Sequence, residues 1–238
     1  MVKLLGLLWI LAPWINAAPA SGDEFATSAG PLRIRPIYHA SLMIEAGGQV
    51  IHVDPWSKGD YTGLPSADLI LITHSHGDHL DQAIVARLRK AGTVIIGPAS
   101  VAQKLEGVKI LRNGEETQVG PFRIYAVPMY NLKRERSPGV PYHPRGEGNG
   151  YVVEYGGFRI YIAGDTEAVP EMKALRNIDV AFLPMNLPFT MTPEEAAEAA
   201  KAFRPRVVYP YHYRDADVEA FRKALEGSGI EVRLRKWY

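Results

Sequence analysis

Ala67-Asp68-Leu69-Ile70-Leu71-Ile72-Thr73-His74-Ser75-His76-Gly77-Asp78-His79 runs directly from an apolar segment into a cluster of imidazoles and a carboxylate. Its first half has the continuous apolar character of a strand buried on both faces. Four side chains able to bind a metal then fall between His74 and His79. Imidazoles packed this closely repel one another when protonated and need partners when buried, and a metal cation satisfies both demands. A tight turn can aim His74 and His76 at one ion and Asp78 and His79 at a second, with Gly77 allowing the backbone excursion. Leu80, Ile84 and Leu88 then recur at helical spacing, which predicts a helix over 80–91 with Gly92 just past its end.

Strand patterns flank this core signal. Residues 32–37, 41–45 and 49–54 read as strands. In the last of these, Ile51 and Val53 face one way while His52 and Asp54 face the other, with His52 expected at the surface. Gly47-Gly48 followed by a strand and Asp54 is echoed by Gly156-Gly157 followed by a strand and Asp165. The echo suggests a duplicated unit, two sheets facing each other with helices outside. Thr192-Pro193-Glu194-Glu195 reads as a helix start, with an N-cap, an N1 proline and a capping-box Glu. Residues 131–150 are irregular and rich in Gly, Pro and Arg, and long loops of this kind are more often functional than idle.

Composition narrows the classes. A chain of 238 residues fits one large domain, and 47% apolar residues is ordinary for a globular protein. Lys+Arg 27 against Asp+Glu 26 leaves no basic field to hold nucleic acid, so no nucleic-acid partner is expected. With Cys 0, disulfides, thiolate catalysis and Cys-ligated metal are excluded, and any metal must be held by His and carboxylate. Residues 1–20 read as a secretory signal peptide. Lys3 precedes an apolar run from Leu4 to Ile15, and Ala18-Pro19-Ala20 offers a cleavage site near Ala20, with Ala17 as the rival. The expectation is a periplasmic or secreted protein that meets a membrane only through that segment if it stays uncleaved. Residues 21–31 then form a linker, and residues 32–238 the functional domain.

The H-x-H-x-D-H pattern after a hydrophobic strand resembles the signature of the metallo-β-lactamase superfamily, and the resemblance covers residues 32–238. It implies an α/β fold, an αββα sandwich of two mixed β-sheets with helices on the outer faces and a binuclear metal site at one edge. Tyr38-His39-Ala40-Ser41, Val53-Asp54-Pro55-Trp56, Ile162-Ala163-Gly164-Asp165-Thr166 and Pro210-Tyr211-His212-Tyr213 are similar to the branch that includes L-ascorbate-6-phosphate lactonase and N-acylphosphatidylethanolamine-hydrolysing phospholipase D. By that resemblance His74 and His76 hold the first metal, Asp78, His79 and His212 the second, and Asp165 bridges them. His39 and Asp54 stand behind the ligands, with Asp54 accepting a hydrogen bond that fixes a ligand tautomer. One position departs from the pattern. Relatives place a His near Pro128-Met129-Tyr130-Asn131, where this chain offers Asn131 or Tyr130, neither a strong ligand; His143 is the expected replacement, the alternatives being Asn131 or water, or a weak first site with one dominant metal.

The resemblance implies a hydrolase with two divalent metal ions, zinc first, with manganese or iron also compatible. A metal-bridged hydroxide would attack a phosphodiester, a lactone or another ester, with Asp78 among the catalytic residues. The alternative is a metal-binding envelope protein with a degenerate first site and no turnover. The expected partner is a small, anionic substrate. Lys133, Arg134, Arg136 and Arg145 offer charge for a phosphate, and Tyr130, Tyr142, Met185 and Phe189 offer an apolar wall.

Overall fold

The structure, a computed structural model, describes residues 22–238, so the signal segment expected over residues 1–20 lies outside the described residues. Among the described residues no helix is long and apolar enough to cross a membrane. The first half forms a seven-stranded sheet in sequence order: β1 (Asp23–Thr27), β2 (Gly30–Tyr38), β3 (Ser41–Ala46), β4 (Gln49–Val53), β5 (Ala67–Leu71), β6 (Arg89–Gly97) and β7 (Val108–Ile110). Two short helices, α1 (Gln82–Leu88) and α2 (Ala99–Ala102), follow β5 and β6. The second half supplies β8 (Glu116–Val119), β9 (Phe122–Met129), a small hairpin of β10 (Glu135–Ser137) and β11 (Val140–Pro141), then β12 (Gly148–Tyr155), β13 (Phe158–Ile162), β14 (Val180–Pro184), β15 (Val207–Tyr211) and β16 (Glu231–Val232). Its helices are α3 (Pro170–Lys173), α4 (Pro193–Phe203) and α5 (Val218–Ala224).

The two sheets are built alike. An antiparallel run β2-β3-β4 continues into parallel β5, β6 and β7. In the other sheet antiparallel β9-β12-β13 continues into parallel β14, β15 and β16. The Gly-Gly echo marks the turns before β4 and β13, one in each sheet. Period-two alternation then divides the apolar residues into three layers. Leu69, Leu71, Ile51 and Val53 meet Phe182, Tyr209, Ile160 and Ile162 between the sheets. Ala67, Ile70 and Ile95 pack outward against Ile84, Val85 and Leu88 of α1 and Val101 of α2. Tyr161, Ala181 and Val208 pack outward against α4 and α5. The architecture is the two-sheet α/β sandwich.

Local signals explain the helices. Asp81 caps α1 by accepting the backbone N–H groups of Ala83 and Ile84. Thr192 and Glu195 make the reciprocal capping box of α4, with Pro193 in the first turn.

Three expectations are corrected. The linker expected over residues 21–31 is instead structured from residue 22 onward: Asp23–Thr27 pairs antiparallel with β2, and Asp23 is held by Arg235 and by the Tyr209 hydroxyl. The helix expected over 80–91 stops at Leu88, because Arg89 already pairs with Ala67 of β5 and Thr93 bonds the Ala67 carbonyl. His52 is buried rather than exposed, since helix-side residues cover that face of the sheet; its Nε2 lies 3.0 Å from the Pro65 carbonyl.

Candidate metal centre

The parallel strands all deliver residues to one edge of the sandwich. Asp54 follows β4, the His74–His79 turn follows β5, Asp165 follows β13 and His212 follows β15. His39 arrives from the β2–β3 turn, and His143 from the segment between β11 and β12. His39, Asp54 and His212 have φ of 59°, 42° and 47°, a left-handed conformation uncommon for such residues and tolerated best by Asp, Asn and His. Gly164, at φ +67°, lets Asp165 approach: a Cβ there would stand 2.5 Å from Met129 Sδ and 3.1 Å from Thr73 Cβ.

Two donor sets result. His74, His76 and His143 bring one ligand atom each within 4.8 Å of one another, and Asp78, His79 and His212 do the same, with His39 alongside. Asp165 lies between them and gives one oxygen to each side. Its Oδ2 is 3.5 Å from His143 Nε2 and 4.0 Å from His74 Nε2. Its Oδ1 is 3.4 Å from His79 Nε2 and 3.3 Å from His212 Nε2. His143, rather than Asn131 or Tyr130, is thus the side chain brought beside His74 and His76. Asn131 has a different part, accepting from the His143 ring at Nδ1 (2.9 Å) and donating to the Phe189 carbonyl. Tyr130 points elsewhere, to Glu171.

Neighbouring hydrogen bonds set the tautomers. His79 Nδ1 donates to Asp54 Oδ2 at 2.8 Å, and Asp54 also accepts the backbone N–H and the hydroxyl of Thr73. Nε2 of His79 is thereby left to face the cluster. His39 is arranged the opposite way. Its Nε2 lies 3.0 Å from Asp78 Oδ2 and its Nδ1 2.8 Å from the Tyr238 hydroxyl, which accepts the Arg214 N–H. An ionised Asp78 can only accept, so Nε2 of neutral His39 carries the proton and Nδ1 is a bare acceptor. Tyr238 must then donate to it. His39 uses its inward nitrogen on Asp78 and offers no lone pair to the cluster.

Electrostatics agree with a cation site. Burial pushes His39 and His143 down from the ordinary 6.5 to about 4, and burial with the neighbouring His79 pushes His74 well below. Neutral imidazoles are what a metal requires. Burial also disfavours charge on His79, but Asp165 and Asp54 override it and hold His79 well above its usual value. Asp165 is likewise buried, yet His212 and His79 keep it well below the carboxylate range. Asp78 is lowered against its burial by His212 and His39. Most telling are His79 Nε2, His143 Nε2, His212 Nε2 and Asp165 Oδ1. All four are buried without a hydrogen-bond partner among the described residues, and all belong to the same cluster. Each such group costs about 1–3 kcal/mol if left unsatisfied. Divalent cations held between these atoms would satisfy all four, so the residues present fit a metal site.

A cavity of about 240 Å³ opens over Asp78, Asp165 and His212, with Arg136, Arg214, Tyr142 and Phe189 at its sides. Of the four basic residues named from the sequence, Arg136 alone borders it. Lys133 and Arg134 pair with Glu195 and Glu167, and Arg145 with Glu171. The Tyr142 and Phe189 rings meet edge-on at 4.9 Å, whereas Met185 is wholly buried. Sequence reading missed Arg214. Its place two residues after His212 was the available signal.

The family model described as the beta-lactamase superfamily domain matches residues 33–212. A UPF0173 metal-dependent hydrolase of Thermococcus onnurineus is 34% identical over 86% of this chain and 96% of its own length. A crystal structure from Parabacteroides distasonis, assigned as a metal-dependent hydrolase, superposes with a TM-score of 0.87 at 47% identity, covering 92% of this chain and 99% of that one. A metallo hydrolase from Ignicoccus hospitalis gives a TM-score of 0.70 at 26% identity, covering 86% of this chain and 95% of that one. The chain belongs to the beta-lactamase superfamily and, within it, to the UPF0173 metal-dependent hydrolase family.

Proposed function

We propose that the chain hydrolyses a small anionic ester at a centre of two divalent metal ions. The observation that carries this reading is the division of Asp165 between two donor sets whose inward atoms are buried and unpartnered. His74, His76 and His143 would hold one ion, Asp78, His79 and His212 the other, and Asp165 both. The ions would supply Lewis acidity toward the ester oxygen and lower the pKa of water. Zinc suits a set made only of imidazole and carboxylate, and manganese or iron are compatible with it.

The remaining work falls to side chains. Arg136 and Arg214 border the cavity and attract an anionic group, and Tyr142 with Phe189 gives an apolar wall to orient the rest. Asp78 is 28% exposed, borders the cavity and is anchored by His39, so its carboxylate is held in place at the substrate side of the cluster. The four short motifs that resemble the lactonase and phospholipase branch support a phosphodiester or lactone among esters. The apolar segment ahead of the domain supports a periplasmic or secreted setting.

Elemental analysis of the folded protein, run beside a panel of phosphodiesters, lactones and carboxylic esters, tests the reading. Two metals per chain and turnover that Asp78→Ala abolishes are expected. Less than one metal per folded chain, or no turnover across the panel by metal-loaded protein, would contradict it.

A further inference from the structure

Beside the donor cluster lies a second cavity, of about 320 Å³, to which the proposed reaction assigns no part. His39 forms its inner end, and Tyr38, Trp56 and Tyr238 form its aromatic sides. Arg214 borders both this cavity and the one over the metal ligands. The geometry points to a second binding site here for a planar group bearing a negative charge, an aromatic or heteroaromatic carboxylate or phosphate that forms the far end of the substrate. That last clause rests on the hydrolase reading; the binding itself needs no turnover.

Shape gives the first argument. Tyr38 meets Trp56 at 5.7 Å and 53°, and meets Tyr238 at 5.3 Å and 76°. None of these rings lies flat on another, so their faces are not used up in mutual stacking. Tyr238 is 37% exposed and Tyr38 and Trp56 are half-buried, all at one cavity. Aromatic sides with a few polar groups are what small-molecule sites of this size present.

Charge gives the second. Lys58 Nζ stands 4.6 Å from the centre of the Trp56 ring, and neither Lys58 nor Arg214 enters an ion pair among the described residues. Lys133, Arg134 and Arg145, by contrast, are all paired with glutamates elsewhere. Asp215 is the one acidic side chain lining this cavity, against the two basic side chains of Lys58 and Arg214. Both His39 nitrogens are engaged, by Tyr238 and Asp78, which leaves it as neutral surface. A flat cation would meet Lys58 and Arg214, whereas an anionic group would complement these two side chains, neither of which has a carboxylate partner among the described residues.

Benzoate is the probe, titrated calorimetrically into the metal-loaded full chain. Benzamide serves as the planar neutral control and cyclohexanecarboxylate as the charged non-planar one. Benzoate is expected to bind roughly tenfold tighter than either, and Lys58→Ala to weaken it by about the same factor. Trp56→Ala should remove most of the preference for the planar acid. Because Lys58 is exposed, its substitution tests the site even if the Trp56 variant fails to fold. A carboxylate bound merely to the metals would treat benzoate and cyclohexanecarboxylate alike and ignore Lys58, and that result would overturn the proposal. Protein that shows the benzoate pattern but hydrolyses no ester contradicts the hydrolase reading alone. Protein that hydrolyses esters without the pattern contradicts the second site alone.

Discussion

Asn131 Oδ1 accepts two hydrogen bonds from His143, one from the ring at Nδ1 (2.9 Å) and one from the backbone N–H (2.7 Å). Asn131 thus orients the imidazole that faces the cluster beside His74 and His76. Asn131→Leu keeps the bulk and removes both bonds, so the first donor set should lose metal affinity by about 10–100-fold while the second is spared. A competitive metal titration of the folded variant reads this. Two sites of unchanged affinity would refute it.

Asp54 answers three buried donors at once, from His79 and from the hydroxyl and backbone of Thr73. Asp54→Ala leaves all three without a partner and should lower stability by about 3–5 kcal/mol. Equilibrium urea unfolding checks this, and a loss below about 1 kcal/mol would show that water replaces the carboxylate.

Acidification should weaken the metal-free chain. His39 and His143 titrate at about 4 in the folded protein against 6.5 ordinarily, so below pH 6.5 the unfolded chain takes up protons that the folded chain refuses. Stability from this source is full above 6.5 and is lost as pH falls toward about 4. His79 has the opposite sign: its raised value stabilises below 6.5 and is lost as pH rises. The Tm of metal-free protein should therefore fall steadily from pH 6.5 to 4, less steeply in His143→Gln. A flat profile in wild type would contradict the stated burial of these rings.

What the sequence discloses depends on how local the cause is. The His74–His79 turn is readable because its ligands are contiguous and its strand is apolar on both faces. The duplicated sheet pattern is readable from the two Gly-Gly turns. β1 is not, because Gly22, Ser28 and Gly30 look like a linker and only pairing with β2 and the distant Arg235 makes a strand of Asp23–Thr27. His52 alternates as a surface residue would, but both faces of its sheet are covered. The Tyr238–His39–Asp78 chain joins residues 199 and 39 positions apart, a relationship that no spacing rule reaches.

The central claim is that Asp165 and six other side chains converge on two ions. Anomalous diffraction from crystals of zinc-loaded protein tests it most directly. Two peaks are predicted, one contacting His74, His76 and His143, the other contacting Asp78, His79 and His212, with Asp165 touching both. A single peak, or metal bound away from Asp165, would contradict the account.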